Sequence, residues 1–221
     1  DESLQFMGYS TARRKKNIIV VSGMALGSDM VEGLLVHEMS HAYRTETKHP
    51  SHNHALLDDV LGAFMAKHRI REDYQIEIVQ QIVNHVQDLY ADDITFRVFE
   101  KSIDAPVSPG RMSDFFLDWI RTSPVRSADK VKEGWMNASI MLNNCFAVSN
   151  LERHRIKDVG NKVAAANRIF LHAFSHKVSA EFAYFKDFMV NLKEDVTDLE
   201  LREQTGEYAH RFLELTTKMT S

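Results

Sequence analysis

The sequence predicts an α+β fold that is predominantly helical, with a small N-terminal β element beside a first helix and a helical C-terminal half. Proline and glycine are scarce, at 4 and 9 of 221 residues, and no proline follows Pro124, so long helices are permitted in the second half. One short segment, residues 17–22, is rich in β-branched residues and is followed directly by Gly23, which favours a strand. Elsewhere apolar residues recur at helical spacing.

A second strand that could flank the one at 17–22 is expected at residues 4–9. A helix should follow and begin near Ser28 or Asp29, because either side chain can accept a hydrogen bond from the free backbone N–H groups of a first turn. Four residues share one face of this helix, at spacings of four, three and four: Met30, Leu34, His37 and His41. The two histidines are therefore expected to point inward.

Further helices are expected at 55–68 and at 73–100, the second with these residues on its core side: Ile76, Val79, Val83, Val86 and Tyr90. Residues 106–127 hold three of the four prolines and are predicted to be an irregular connector. Residues 128–221 should form three or four amphipathic helices. The chain then divides into a core at 1–105, the connector, and a helical subdomain packed on that core.

Composition restricts the classes of function. The net charge of -4 and the pI of about 6.3 argue against a nucleic-acid partner bound through bulk charge. A single cysteine, Cys145, excludes an internal disulfide and favours a reducing compartment, so a cytoplasmic location is expected. The chain begins at Asp1, shows no secretory signal, and has no apolar run near the ~18 residues of a membrane span.

A metal-binding motif lies inside the first predicted helix, where residues 37–41 are H-E-M-S-H, or H-E-x-x-H. Residues i and i+4 share a helix face, so both imidazoles can reach one metal ion. Glu38 lies about 100° round the helix from His37, where it can hold a water molecule and take its proton. The metal lowers the pKa of that water, which leaves Glu38 as general base. The alternative is that His37 and His41 are core side chains bonded to carboxylates.

A catalytic zinc site also needs a third protein ligand and an open fourth position. The metzincin pattern fails, because Arg44 stands where a glycine is needed and Thr47 where the third histidine is needed. A histidine cluster lies nearby in a predicted loop, at His49, His52 and His54. Polar residues also follow one side of the long helix, at Gln81, His85, Asp88 and Asp92. The alternative for this polar stripe is a solvated face.

These two helices resemble those of the gluzincin metallopeptidases, which pair an H-E-x-x-H helix with a second helix bearing Glu-x-x-x-Asp. In the branch of the CAAX prenyl proteases and minigluzincins, the second motif often has the form Glu-x-x-Ala-Asp; residues 88–92 here are D-L-Y-A-D. The resemblance covers about residues 17–95. It implies that Asp88 binds the metal, that Asp92 hydrogen-bonds the far nitrogen of a ligand histidine, and that an edge strand at 17–22 binds extended substrate.

One departure from the family leaves the third ligand open. Asp88 is one methylene shorter than the glutamate it replaces, so the second helix must approach more closely, or His85 is the ligand instead. A peptidase also needs a donor for the oxyanion of its tetrahedral intermediate. Candidates for that donor lie in the C-terminal half: His154, His172, His176 and Tyr184.

The sequence therefore predicts a soluble zinc metallopeptidase that hydrolyses a peptide or protein substrate. Zn²⁺ would bind His37, His41 and Asp88, with Glu38 as general base for a metal-activated water. The alternative is a non-catalytic zinc-containing helical scaffold or protein-interaction domain. A fourth protein ligand from the cluster at 49–54 would favour that alternative, because structural zinc sites are closed.

Overall fold

The fold consists of a β-hairpin followed by eight α-helices in the part of the chain that a computed structural model describes. The described residues are 8–13, 16–23, 25–27, 31–101 and 109–220. The predicted class, α+β with a predominance of helix and the β element at the N-terminus, is confirmed. No described helix combines the length and the apolar character required to cross a membrane.

The hairpin pairs β1 (Gly8–Arg13) with β2 (Lys16–Val21) in antiparallel register, with Gly8 opposite Val21. The predicted strand at 17–22 is confirmed to within a residue. Its partner lies further along the chain than the predicted 4–9, and residues 4–7 are outside the described part.

The hairpin packs on α1 (Val31–Glu46), chiefly through β1. The approach is closest at Gly8, where an added β carbon would lie 3.1 Å from the carbonyl oxygen of Val20 and 3.4 Å from Cδ2 of Leu34. A glycine at this position therefore lets the strand come up to the helix that carries the H-E-x-x-H motif. The predicted cap at Ser28 or Asp29 lies outside the described residues.

The next two helices are α2 (His54–His68) and α3 (Asp73–Lys101), and both predictions are confirmed to within a residue. Helix α2 begins at an Asn53 side chain that accepts the N–H of Leu56 at 3.3 Å. Helix α3 packs against α1 on one side and α5 on another. Its predicted core residues are buried except Ile76, which is partly buried against the same core.

The connector predicted to be irregular at 106–127 contains helix α4 (Pro109–Trp119), so that prediction is wrong there. A proline in the first turn does not prevent a helix, because the N–H that it lacks has no partner inside the helix. Met112 and Phe116, one turn apart, are both buried and pack with Phe96 of α3. This apolar face is what stabilises α4.

The prediction of three or four helices at 128–221 is confirmed, with four. They are α5 (Lys130–Arg153), α6 (Lys162–Leu171), α7 (His176–Val190) and α8 (Asp198–Thr220). The largest hydrophobic cluster joins α2 and α3 to α5, α7 and α8. Helix α3 is thus packed on the C-terminal helices through a continuous core. This core fixes the side of α3 that remains available to α1.

Candidate metal centre

Helices α1 and α3 bring three potential metal ligands together: His37, His41 and Asp88, here called the ligand group. One ligand atom of each lies within 4.8 Å of the others. Nε2 of His37 is 3.0 Å from Nε2 of His41, and Oδ1 of Asp88 is 3.3 Å from the latter and 3.9 Å from the former. Among the described residues no other cluster of three or more His, Cys, Asp or Glu side chains has this geometry. Two imidazole nitrogens and a carboxylate oxygen form a donor set typical of catalytic zinc.

Asp92 orients the first histidine. Its Oδ1 lies 2.8 Å from Nδ1 of His37, so the opposite nitrogen of that ring is turned to the ligand group. Burial alone would lower the pKa of His37, but the charges of Asp92, Asp88 and Glu38 and the hydrogen bond to Asp92 outweigh it and raise this pKa to about 9. A carboxylate on the far nitrogen is the usual arrangement around a metal-binding histidine.

Asp88 is held as an anion beside the two rings. Burial would raise the pKa of its carboxyl group, but the contact with Nε2 of His41 and the charges of the nearby histidines outweigh burial, so this pKa lies below its ordinary value. The shorter aspartate reaches the rings because the helices approach closely at small side chains. Ser40 and Thr95 are both buried where α1 meets α3, with their hydroxyl oxygens 3.1 Å apart.

The competing ligand, His85, faces a different helix. Its Nε2 is 2.9 Å from Oδ1 of Asn143 on α5, and its ring stacks on Phe146 with the centroids 5.0 Å apart. His85 is not a member of the ligand group. Of the two candidates that the polar stripe offered, the structure therefore brings Asp88 to the histidine pair.

Glu38 is buried, at 6% exposure, on the side of α1 that faces the hairpin. Burial raises the pKa of its carboxyl group, against the opposing effects of the two histidines and of a hydrogen bond from the Ser10 backbone on β1. A raised pKa brings a carboxylate nearer to the range in which it exchanges protons at neutral pH. Glu38 thus places a buried carboxyl group with a raised pKa next to the ligand group.

The histidine cluster does not enter the ligand group. His52, in a short 3-10 turn at Pro50–His52, lies behind His41, with its Nε2 2.8 Å from Nδ1 of that ring. Burial and the neighbouring cationic and histidine groups lower the pKa of His52 to about 3, so its ring is neutral. His54 begins α2 and is exposed. Sequence reasoning missed that His52 contacts His41, since nothing in a loop sequence indicates which way its side chains point.

None of the four candidates for an oxyanion donor belongs to the ligand group. The hydroxyl of Tyr184 donates to Glu207 at 2.9 Å, and the ring of His154 stacks on Phe96 with a centroid distance of 4.3 Å. His172 and His176 are exposed around the turn between α6 and α7. Within the described contacts, none of the four bonds to the ligand group.

A family model described as DUF5781, a family of unknown function, matches residues 8–214. No curated protein and no solved structure matches the chain. The matched region includes the hairpin and every helix that contributes to the ligand group and its surroundings.

Proposed function

Because the chain belongs to the DUF5781 family, whose function is unknown, we propose from its own geometry that it is a zinc-dependent peptidase. The observation that carries this proposal is the convergence of His37, His41 and Asp88 beside the buried Glu38. The substrate would be a peptide or protein, held in extended form along the hairpin, as the resemblance to gluzincins implies.

The residues present fit a zinc ion. The ligand group offers two nitrogens and one carboxylate oxygen, and both ligand histidines have a partner on the far nitrogen, Asp92 for His37 and His52 for His41. Such partners hold an imidazole in the orientation and tautomer that a metal requires. Zinc bound there would supply a lowered pKa for water and polarisation of a peptide carbonyl.

Glu38 would move the proton. Its carboxylate takes a proton from the attacking water as the water oxygen bonds to the peptide carbon. When the carbon–nitrogen bond breaks, the same proton passes from Glu38 to the amine that leaves. The raised pKa of Glu38 suits both transfers, because an acid–base group works best when its pKa lies near the operating pH.

The arrangement favours an enzyme over a closed structural site. A structural zinc usually has four protein ligands, whereas the ligand group in the described chain has three members. The nearest further histidine, His52, faces Nδ1 of His41 and not the ligand group. The side chains of His37 and Asp88 are 24% and 26% exposed, which leaves solvent access to a fourth position.

The decisive test compares Glu38→Gln with wild type for zinc content and for cleavage of a broad peptide library. The variant should keep stoichiometric zinc and lose about 10²–10⁴-fold in activity, because a general base is removed while the ligands remain. Glu32→Gln, the same change at an exposed position of α1, is the matched control and should cleave like wild type. Loss of zinc in Glu38→Gln, or a wild type that holds zinc and cleaves nothing, would contradict the proposal.

A further inference from the structure

A chain of hydrogen bonds runs from the ligand group to a backbone carbonyl in the segment between α7 and α8. Nδ1 of His41 contacts Nε2 of His52 at 2.8 Å, and Nδ1 of His52 contacts Oγ of Ser51 at 2.8 Å. The same hydroxyl contacts Nδ1 of His49 at 2.8 Å, and Nε2 of His49 contacts the carbonyl oxygen of Glu194 at 2.9 Å.

We propose that His52, Ser51 and His49 are positioning residues that fix the tautomer of His41, so that its Nε2 presents a lone pair to the ligand group. The proposal rests on the zinc site proposed above, and it adds residues that the H-E-x-x-H motif does not contain. It also makes one of the two ligand histidines dependent on a segment about 150 positions further along the chain.

The donor and acceptor of every hydrogen bond in this series follow from its last bond, the one between His49 and the carbonyl of Glu194. A carbonyl oxygen can only accept, so Nε2 of His49 must carry the hydrogen that bonds to Glu194. In a neutral imidazole the other nitrogen is then an acceptor. The backbone agrees, because the N–H of Ser51 donates to Nδ1 of His49 at 3.3 Å.

The remaining bonds are then determined. Since Nδ1 of His49 accepts, the Ser51 hydroxyl donates to it and accepts from Nδ1–H of His52. Nε2 of His52 therefore carries a lone pair and accepts from Nδ1–H of His41. The lone pair of His41 is left on Nε2, the atom that lies in the ligand group.

The opposite tautomer of His41 conflicts with this chain. A hydrogen on Nε2 of His41 would leave a lone pair on Nδ1, which would then require Nε2–H on His52. Reversing each bond in turn ends with a lone pair on Nε2 of His49 against the carbonyl oxygen of Glu194. Two facing acceptors without a hydrogen between them are unfavourable, because the N–H···O=C bond is lost and the two lone pairs repel each other.

The Glu194 carbonyl, at which the chain of hydrogen bonds ends, is held in position by side chains of α1 and α3. The hydroxyl of Tyr90 donates to the carbonyl of Lys193 at 2.9 Å. The carboxylate of Glu194 accepts from Arg44 at 3.5 Å and is also paired with Arg97. The two helices that carry the ligand group therefore also fix the position of the carbonyl that orients His41.

This tautomer explains why the ligand group would attract a cation. Nε2 of His41 and Oδ1 of Asp88 lie 3.3 Å apart, and both are acceptors when the hydrogen of His41 is on Nδ1. A cation between them satisfies both atoms. The hydrogen-bond chain thus prepares His41 as a ligand and makes its binding of a metal depend on Ser51 and His52.

The first test is the tautomeric state of each ring in the full chain labelled with ¹⁵N-histidine, measured by long-range ¹H–¹⁵N NMR with zinc and after chelation. We expect the hydrogen of His52 on Nδ1 and that of His49 on Nε2 in both forms. The reverse tautomer of either ring would overturn the proposal. Because the measurement does not require zinc, its result stands even if the peptidase proposal fails.

The second test is zinc affinity in four variants that fold like wild type by circular dichroism. His52→Phe and Ser51→Ala should each weaken binding by about 10–100-fold, the scale of lost outer contacts to a ligand. His52→Gln should recover most of the loss, because its amide oxygen can accept from His41. Ser149→Ala removes a fully buried serine hydroxyl on α5 and should bind zinc like wild type. Unchanged affinity in His52→Phe and Ser51→Ala would overturn the proposal.

Discussion

Asp93 of α3 and Arg153 of α5 form a two-point ion pair, with both nitrogen–oxygen distances at 2.7 Å. Asp93 directly follows Asp92, which bonds to His37. Two adjacent carboxylates of α3 therefore contact the ligand group on one side and the C-terminal helix α5 on the other. Arg153 also donates to three carbonyls at and just beyond the end of α7: Met189, Val190 and Leu192. These bonds hold in place the start of the segment between α7 and α8 that contains Glu194.

Arg153→Met should reduce the free energy of unfolding by about 3–5 kcal/mol, because it leaves the buried carboxylate of Asp93 without its partner. The two side chains are only 10% and 11% exposed. Lys162→Met is the control, since the Lys162–Asp114 pair is 52% and 60% exposed and exposed pairs contribute little to stability. Urea unfolding measures both, and equal losses would show that burial does not set the strength of the pair.

A second prediction concerns a close approach of α5 to α8 at Gly134. A β carbon at Gly134 would lie 2.4 Å from Cγ2 of Thr220 and 2.9 Å from the carbonyl oxygen of Thr216, so the helices would have to separate. Gly134→Ala should therefore cost about 1–3 kcal/mol. Gly206→Ala, in α8 with nothing within 4 Å of the new carbon, should instead stabilise by up to about 1 kcal/mol through helix propensity. A change of Tm in the same direction for both variants in thermal unfolding would contradict this explanation.

The helices were largely predictable from the sequence because apolar periodicity is a local signal. The ends of α2 and α3 follow from it to within a residue. The same signal failed for α4, where Pro109 suggested a loop although the burial of Phe116 favours a helix. Prolines mark helix starts as well as breaks, and only the packing partner on α3 distinguishes the two.

The histidine pair was predictable and its surroundings were not. An i, i+4 spacing places His37 and His41 on one face whatever the fold. The contact of His41 with His52 depends on how a loop turns after α1, and that of His49 with Glu194 joins positions 145 residues apart. Neither has a local signal in a single sequence.

Acid should weaken the fold partly through Glu133 in the first turn of α5. Its carboxylate accepts from the N–H of Ser127 at 2.7 Å and from Lys130 at 3.0 Å, and these bonds lower its pKa from 4.5 to about 2. A group with a lowered folded-state pKa stabilises above its unfolded-state pKa and loses that contribution as pH falls through the folded value. The loss attributable to Glu133 therefore falls between pH 4.5 and about 2.

Urea titrations of wild type and Glu133→Gln between pH 7 and pH 2 would measure this effect. The variant should be less stable at pH 7, and the two free energies of unfolding should converge as pH falls below about 4.5. Glu203→Gln, at an exposed position of α8, is the control. A difference between wild type and Glu133→Gln that stayed constant down to pH 2 would contradict the assignment.

The third ligand is the point at which sequence and structure can be tested together. Asp88→Ala should weaken zinc binding severely, because a bond to the metal is lost. Asp92→Asn should cost only about 10–100-fold, since Asp92 acts through His37. His85→Gln preserves a polar partner for Asn143 and should bind zinc like wild type. Isothermal titration with zinc in the presence of a competing chelator separates these three outcomes.

The reverse result, zinc retained in Asp88→Ala and lost in His85→Gln, would require a different arrangement of the helices. His85 and Asp88 differ by about 60° around the axis of α3, because three residues turn a helix by about 300°. Helix α3 would have to rotate by that amount to exchange them. Such a rotation would break the contact between Asp92 and His37 and turn the apolar residues of α3 away from α5. The large hydrophobic core shared by these helices opposes it, and this is the physical reason for proposing Asp88 and not His85 as the third ligand.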